Sequence, residues 1–247
     1  MRFDIITLFP ELFAPFMEVG VTRRAYASGQ MRLKLWQLRD FAEGPYRRVD
    51  DRPFGGGPGM VMQAEPLWQC LQAIQRDRNE ASATASPAPV ILFSPAGTPL
   101  SHQLVQQWAQ PAHAGGILIC GRYEGIDQRF IDACVDMQIS LGDFVLSGGE
   151  IPAMALLDAI ARLQPGVLQD ADSHAQDSFN PAIGGLLDCP HYTRPEVWQG
   201  HRVPDVLLSG NHAAIAQWRH AQSLHLTRQK RPDLLDPPPG KRQQQSK

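Results

Sequence analysis

Between Phe3 and Arg162, short apolar runs alternate with helix-patterned segments, and glycine clusters follow several of the runs. Runs this short suit buried strands better than helices. Strands spaced by helix-length segments cannot close as tight hairpins, so they pair in parallel through helical crossovers. The order predicts an α/β domain on a mostly parallel sheet. Phe3 to Phe9 reads as a buried strand, with Pro10 and Glu11 in the first turn of the next helix. Proline loses no hydrogen bond there, and a carboxylate meets the positive end of the helix dipole. Met31, Leu33 and Leu35 alternate with Arg32, Lys34 and Trp36, the period of a half-buried strand. Val90 to Phe93 and Ile117 to Cys120 read as buried strands ending in turns that contain glycine or proline. Helices are predicted over 66–76, with Leu67, Leu71 and Ile74 on one face, over 101–110 and over 150–162. The Ala-, Ser- and Pro-rich segment from Glu80 to Pro89 reads as a surface loop.

The pattern breaks at residues 169–180, which are polar, acidic and aperiodic. This divides the chain into a domain at 1–168, a linker or active-site loop at 169–185 and a small helical domain at 186–247. In the last part Asn211 is a plausible N-cap for a helix turning Ile215, Trp218 and Leu226 inward, and Asp236 opens a tail that reads as disordered. The four cysteines (Cys70, Cys120, Cys134, Cys189) lie far apart without a C-x-x-C pair, which argues for four buried thiols rather than a zinc site or a disulfide framework. Asp4 interrupts the first apolar run, no cleavage site follows it, and no stretch approaches the ~20 apolar residues of a membrane span. A soluble protein of a reducing cytoplasm is expected.

The net charge of −2 conceals an uneven distribution. Residues 186–247 carry nine basic and five acidic side chains and five of the eight histidines, and residues 23–52 carry eight basic and four acidic ones. Such patches fit phosphate contacts, and on charge alone they fit solvated faces equally well.

Three glycine clusters mark places where backbone can approach a ligand. Gly121-Arg-Tyr-Glu-Gly125 follows the strand ending at Cys120, and Leu141-Gly-Asp-Phe-Val-Leu-Ser-Gly-Gly-Glu150 leads into a helix. Strand ends followed by such loops are where open α/β sheets bind ligands, because a missing Cβ lets N–H and C=O groups reach a small molecule. Glu124 or Asp143 could offset a cationic ligand. The third cluster, Arg52-Pro-Phe-Gly-Gly-Gly-Pro-Gly-Met60, is neither a P-loop nor G-x-G-x-x-G, and is either a ligand- or RNA-contacting loop or a structural turn. The missing G-x-G-x-x-G also disfavours a dinucleotide-dependent oxidoreductase. Asp177 in a polar loop and His191 near Cys189 carry little signal alone.

RPFGGGPGMVM (52–62), FSPAG (93–97), GRYEG (121–125), SLGDFVLSGGE (140–150) and DSF…GLLDCPHYTRPE (177–196) together resemble the bacterial tRNA (guanine-N1)-methyltransferases of the SPOUT class. Residues 78–89 and 169–176 depart from that pattern. The resemblance implies a deep trefoil knot and a homodimer with active sites at its interface. It also implies S-adenosylmethionine held in bent form by Phe93, Ser94, Pro95 and Gly97; by Gly121, Tyr123, Glu124 and Gly125; and by Leu141, Gly142, Asp143, Phe144, Val145, Leu146, Gly148 and Gly149. A Mg²⁺ requirement is implied too, with no ligands assignable. The substrate would be tRNA, methylated at N1 of the guanine just 3′ of the anticodon, position 37. Guanine N1 carries a proton, so a general base is needed, and charge develops on O6. By motif position Asp177 is the expected base and Arg162 the charge stabiliser. A non-catalytic RNA-binding relative would lack these residues, and a ribose 2′-O-methylating SPOUT enzyme would lack the DSF and GLLDCPHYTRPE motifs.

Overall fold

The computed structural model describes residues 1–81, 87–168 and 173–235. It divides into two compact units, Met1–Leu168 and Gln169–Lys247. The first unit contains β1 (Arg2–Thr7), α1 (Phe13–Glu18), α2 (Arg23–Ala27), β2 (Arg32–Gln37), the two-residue strands β3 (Asp50–Asp51) and β4 (Val61–Met62), and α3 (Ala64–Ala81). It continues with β5 (Val90–Pro99), α4 (His102–Trp108), β6 (Gly115–Ile119), α5 (Gln128–Cys134), β7 (Met137–Ser140) and α6 (Glu150–Arg162).

Five strands form one sheet in the order β2-β1-β6-β5-β7, every pairing parallel. Both faces are covered, which is why the central strands read as continuous apolar runs. Phe3 and Ile5 of β1, Ile91 of β5 and Leu118 of β6 pack with Val105 and Trp108 of α4 and with Leu156, Leu157 and Ile160 of α6. Ile6, Leu92, Ile117 and Ile119 face the other way, onto Leu67, Leu71 and Ile74 of α3 and Phe130 of α5. Each such burial stabilises by about 1.5–3 kcal/mol.

Asp4 breaks the apolar run of β1 for a structural reason. Its carboxylate is fully buried and takes hydrogen bonds from Arg2 (2.7 Å), Arg78 (2.6 Å) and the Trp36 indole (2.8 Å), so the charge is paired as burial requires.

Several sequence expectations shift. The helix expected at 66–76 runs from Ala64 to Ala81 and takes over the start of the loop read at 80–89, whose residues 82–86 lie outside the described ones. β5 carries on through FSPAG instead of ending before it. Phe93 and Thr98 both lie opposite Ile139, so residues 94–97 bulge out of the sheet and the chain then rejoins it. Strand β7 and helix α5 were not foreseen. Of the four thiols, Cys134 is only partly buried.

The second unit holds the hairpin β8 (Val197–Trp198) and β9 (His201–Arg202), α7 (Asp205–Leu208) and α8 (His212–Lys230). Asn211 caps α8, its Oδ1 accepting from Ala214 N at 3.1 Å. The inward stripe is not the expected one. Ile215, Trp218 and Leu226 are half-buried, whereas Ser223 and Thr227 are buried. Small side chains there let another backbone come close, and Thr227 Oγ1 accepts from Leu187 N at 3.0 Å. Residues 173–185 are more than a bare linker. Phe179 N bonds Leu186 O (2.8 Å), Ser178 Oγ accepts from Asp188 N (2.9 Å), and Asn180 caps the turn at Pro181–Ile183. The segment 169–172 and the tail from Asp236 fall outside the described residues.

Candidate active site

The carboxyl ends of β5, β6 and β7 lie side by side in the sheet, and the segments leaving them wall one cleft of about 570 Å³. Phe93, Ser94 and Pro95 come from the β5 bulge. Gly121, Tyr123, Glu124 and Gly125 come from the loop after β6, with Arg122 beside them. Leu141, Gly142, Phe144, Val145, Leu146, Gly148 and Gly149 come from the loop after β7.

Two of the expected residues are absent from this wall. Asp143 is exposed and does not line the cleft. Gly97 serves packing, since a Cβ there would sit 2.5 Å from the backbone of Gln138 and Ile139. Gly149 is required in the same way. A Cβ would lie 2.6 Å from Cys120 Cα, and its N–H reaches Gly121 O at 2.9 Å, joining the second and third loops. The three segments are therefore locked to one another by backbone.

Behind the wall lies a polar network that sequence reasoning missed. Glu150, the first residue of α6 and 1% exposed, accepts from Thr7 Oγ1 (2.7 Å) and from Arg122 Nε (2.9 Å). Arg122 also donates to Ser147 O (3.2 Å) and lies over the Phe9 ring, 4.5 Å from its centroid. One ion pair thus ties β1 to both glycine loops. The sequence shows an Arg after one glycine and a Glu after another, but nothing local pairs residues 28 apart.

The RPFGGGPGM cluster resolves into two parts. Its distal end is structural: Met60 O accepts from Glu124 N (3.0 Å), Met62 N donates to Gly125 O (2.9 Å), and Gly59 leaves room for the Glu124 side chain. Its tip carries Phe54, fully exposed. Tyr123 stands at the cleft, and its phenol is pushed up by partial burial and then by the negative charge of the Asp50 carboxylate.

Neither of the two residues expected to do chemistry is among those that wall the cleft. Arg162 ends α6, about 18 Å along the helix axis from Glu150 at ~1.5 Å per residue. Asp177 is in the second unit, half-buried between His174 and Asn180. Among the described residues, one group could hold a metal ion: Asp188, Cys189 and His191. A thiol and an imidazole do not suit Mg²⁺, which takes oxygen ligands.

Residues 1–237 match the family described as tRNA (Guanine-1)-methyltransferase TrmD. The chain belongs to this family. It is 68% identical over 236 residues to a tRNA (guanine-N(1)-)-methyltransferase of Albidiferax ferrireducens, an alignment covering 96% of this chain and 92% of the relative. Like-named proteins of Paracidovorax citrulli and Thiobacillus denitrificans are 66% and 58% identical, each over 96% of this chain and over 91% and 97% of their own lengths. Within the family frame, the cleft walled by three backbone-locked loops is the candidate cofactor site. No described helix is long and apolar enough to cross a membrane.

Proposed function

We propose that this chain transfers a methyl group from S-adenosylmethionine to N1 of the guanine immediately 3′ of the anticodon in tRNA, position 37, acting in the cytoplasm as a homodimer. The observation that carries the reading is the convergence of three glycine-bearing segments on one cleft at the carboxyl edge of a parallel sheet. The fit to S-adenosylmethionine rests on the chemistry of that wall. Unblocked backbone at Gly121 suits an adenosine edge, Leu141, Phe144 and Leu146 suit its faces, and Glu124 suits a sulfonium. When bound, that cofactor supplies a methyl group on a positively charged sulfur, already electrophilic.

The chain's own residues must then hold the guanine and move one proton. Asp177 accepts the proton of guanine N1 and so makes that nitrogen nucleophilic. Arg162 stabilises the charge that grows on O6 as the proton leaves. Arg162 lies a full helix length from the cleft end of α6, which supports a site completed by two chains. The trefoil knot belongs to the same proposal. It rests on membership of the family. The first unit would carry cofactor and catalysis, 169–185 the active-site segment, and 186–247 the grip on tRNA phosphates through its excess of basic side chains. Mg²⁺ remains part of the family expectation, and no residue of this chain is assigned to it.

The test uses labelled S-adenosylmethionine and two tRNA transcripts that differ only in the base 3′ of the anticodon. Label should enter the guanine transcript and not the adenine one; equal labelling would refute the target.

A further inference from the structure

The turn Asp188-Cys189-Pro190-His191 plays no part in the cofactor cleft or the proton transfer. Its three ligand-type side chains nevertheless converge, with Asp188 Oδ, Cys189 Sγ and a His191 ring nitrogen all within 4.8 Å of one another. His191 Nε2 lies 2.8 Å from Asp188 Oδ2. We propose that Asp188, Cys189 and His191 form a binding site for a zinc-class divalent cation, with solvent at the fourth position.

The donor set selects the ion. Thiolate sulfur, imidazole nitrogen and carboxylate oxygen are the three ligand types of zinc, whereas thiolate and imidazole disfavour Mg²⁺ and Ca²⁺. Metal–ligand distances of ~2.0–2.3 Å in a tetrahedron place donor atoms roughly 3.3–3.8 Å apart. His191 Nε2 and Asp188 Oδ2, at 2.8 Å, stand closer than that and all three donors lie within 4.8 Å, so seating the ion asks for side-chain rotations, which His191, with a side chain 70% exposed, is free to make. Zinc would replace the thiol proton, which leaves to solvent, and the short contact between Asp188 and His191.

The backbone beneath is already fixed. Asp188 N donates to Ser178 Oγ (2.9 Å), Cys189 N to Asp188 Oδ1 (2.7 Å) and Leu187 N to Thr227 of α8 (3.0 Å). Pro190 restrains the residue between two of the ligands. His191 also lines a cleft of about 500 Å³ in the same unit, which gives the ion access and leaves room for its solvent ligand. Through the Ser178 bond, an ion here would be coupled to the segment that carries Asp177.

The experiment is titration of chelator-treated, full-length protein with Co²⁺ as a coloured substitute for zinc, followed by Zn²⁺. One Co²⁺ per chain should bind, with a thiolate-to-cobalt charge-transfer band and the intense visible bands of a tetrahedral ion, and Zn²⁺ should displace it. Cys189→Ser should abolish the charge-transfer band, while Cys134→Ser, at the one thiol that is only partly buried, should leave it intact. His191→Ala should weaken binding at least as much as the ~10–100-fold caused by losing an outer partner of a metal ligand. Its exposed side chain makes this the informative variant if Cys189→Ser fails to fold. Absence of the charge-transfer band in wild type, its persistence in Cys189→Ser, or unchanged affinity in a folded His191→Ala would each overturn the site.

Discussion

Replacing Glu150 tests whether the cofactor loops depend on the ion pair behind them. Glu150→Ala strands the Arg122 guanidinium, 19% exposed, with only Ser147 O and the Phe9 ring, and leaves the fully buried Thr7 hydroxyl without its acceptor. Breaking one side of a buried pair costs about 3–5 kcal/mol, a large share of a domain's typical ~5–15 kcal/mol. Glu150→Gln keeps the shape and the acceptor for Thr7 but loses charge-assisted bonding, a cost of about 1.5–3 kcal/mol. The double variant Arg122→Met, Glu150→Leu removes both charges and should recover much of the stability. It should not recover S-adenosylmethionine affinity, because Arg122 also donates to Ser147 O and so restrains that part of the third loop beyond its backbone contacts. Urea unfolding gives the stabilities, and calorimetry below the unfolding transition gives the affinities. The reasoning fails if Glu150→Ala costs less than about 1 kcal/mol, or if the double variant binds cofactor like wild type.

Three further outcomes are expected. Gly121→Val should leave stability nearly unchanged, since a Cβ there meets only the side chains of Ile126 and Leu92 at 3.6–3.7 Å, yet it should abolish cofactor binding; Gly97→Ala, aimed at β7 backbone, should instead destabilise the fold, and denaturation plus calorimetry separates the two. Asp177→Ala should slow methyl transfer on the order of 10²–10⁴-fold with cofactor affinity intact. A heterodimer of that chain with Gly121→Val should regain one working site, and no recovery in purified heterodimers would mean that base and cofactor come from one chain. Burial holds His113 below its ordinary 6.5, and its Nδ1 accepts from Gly115 N at 3.2 Å. The neutral ring therefore contributes stability that is complete above about pH 6.5 and is lost as pH falls through the lower folded value. Urea midpoints should drop between about pH 7 and pH 5 in wild type, and His113→Gln should flatten the part due to this residue.

Much of the first unit was legible because its signals are local. Proline and glutamate at 10–11, the alternation at 31–36 and the stripe at Leu67, Leu71 and Ile74 each follow from a helix or strand period. Strand β7 escaped because its four residues include Gln138 and Ser140 and lack an apolar run. The bulge at 94–97 escaped because it is set by Gly97 meeting a strand about 40 residues further on. The cleft's loops were visible as glycine clusters, but their convergence depends on strand order, which periodicity does not encode. The Thr7–Arg122–Glu150 network and the Asp188–Cys189–His191 turn needed coordinates, since pairing and side-chain direction decide them. In α8 the apolar stripe misled, because small polar residues carry the close approach.

The measurement closest to the central claim is nucleoside analysis of tRNA after reaction with labelled S-adenosylmethionine. Digested product should contain the label in 1-methylguanosine, from the residue 3′ of the anticodon, and Asp177→Ala should lower its yield without lowering cofactor binding. Label recovered in a ribose 2′-O-methyl nucleoside, or in another base, would contradict the account.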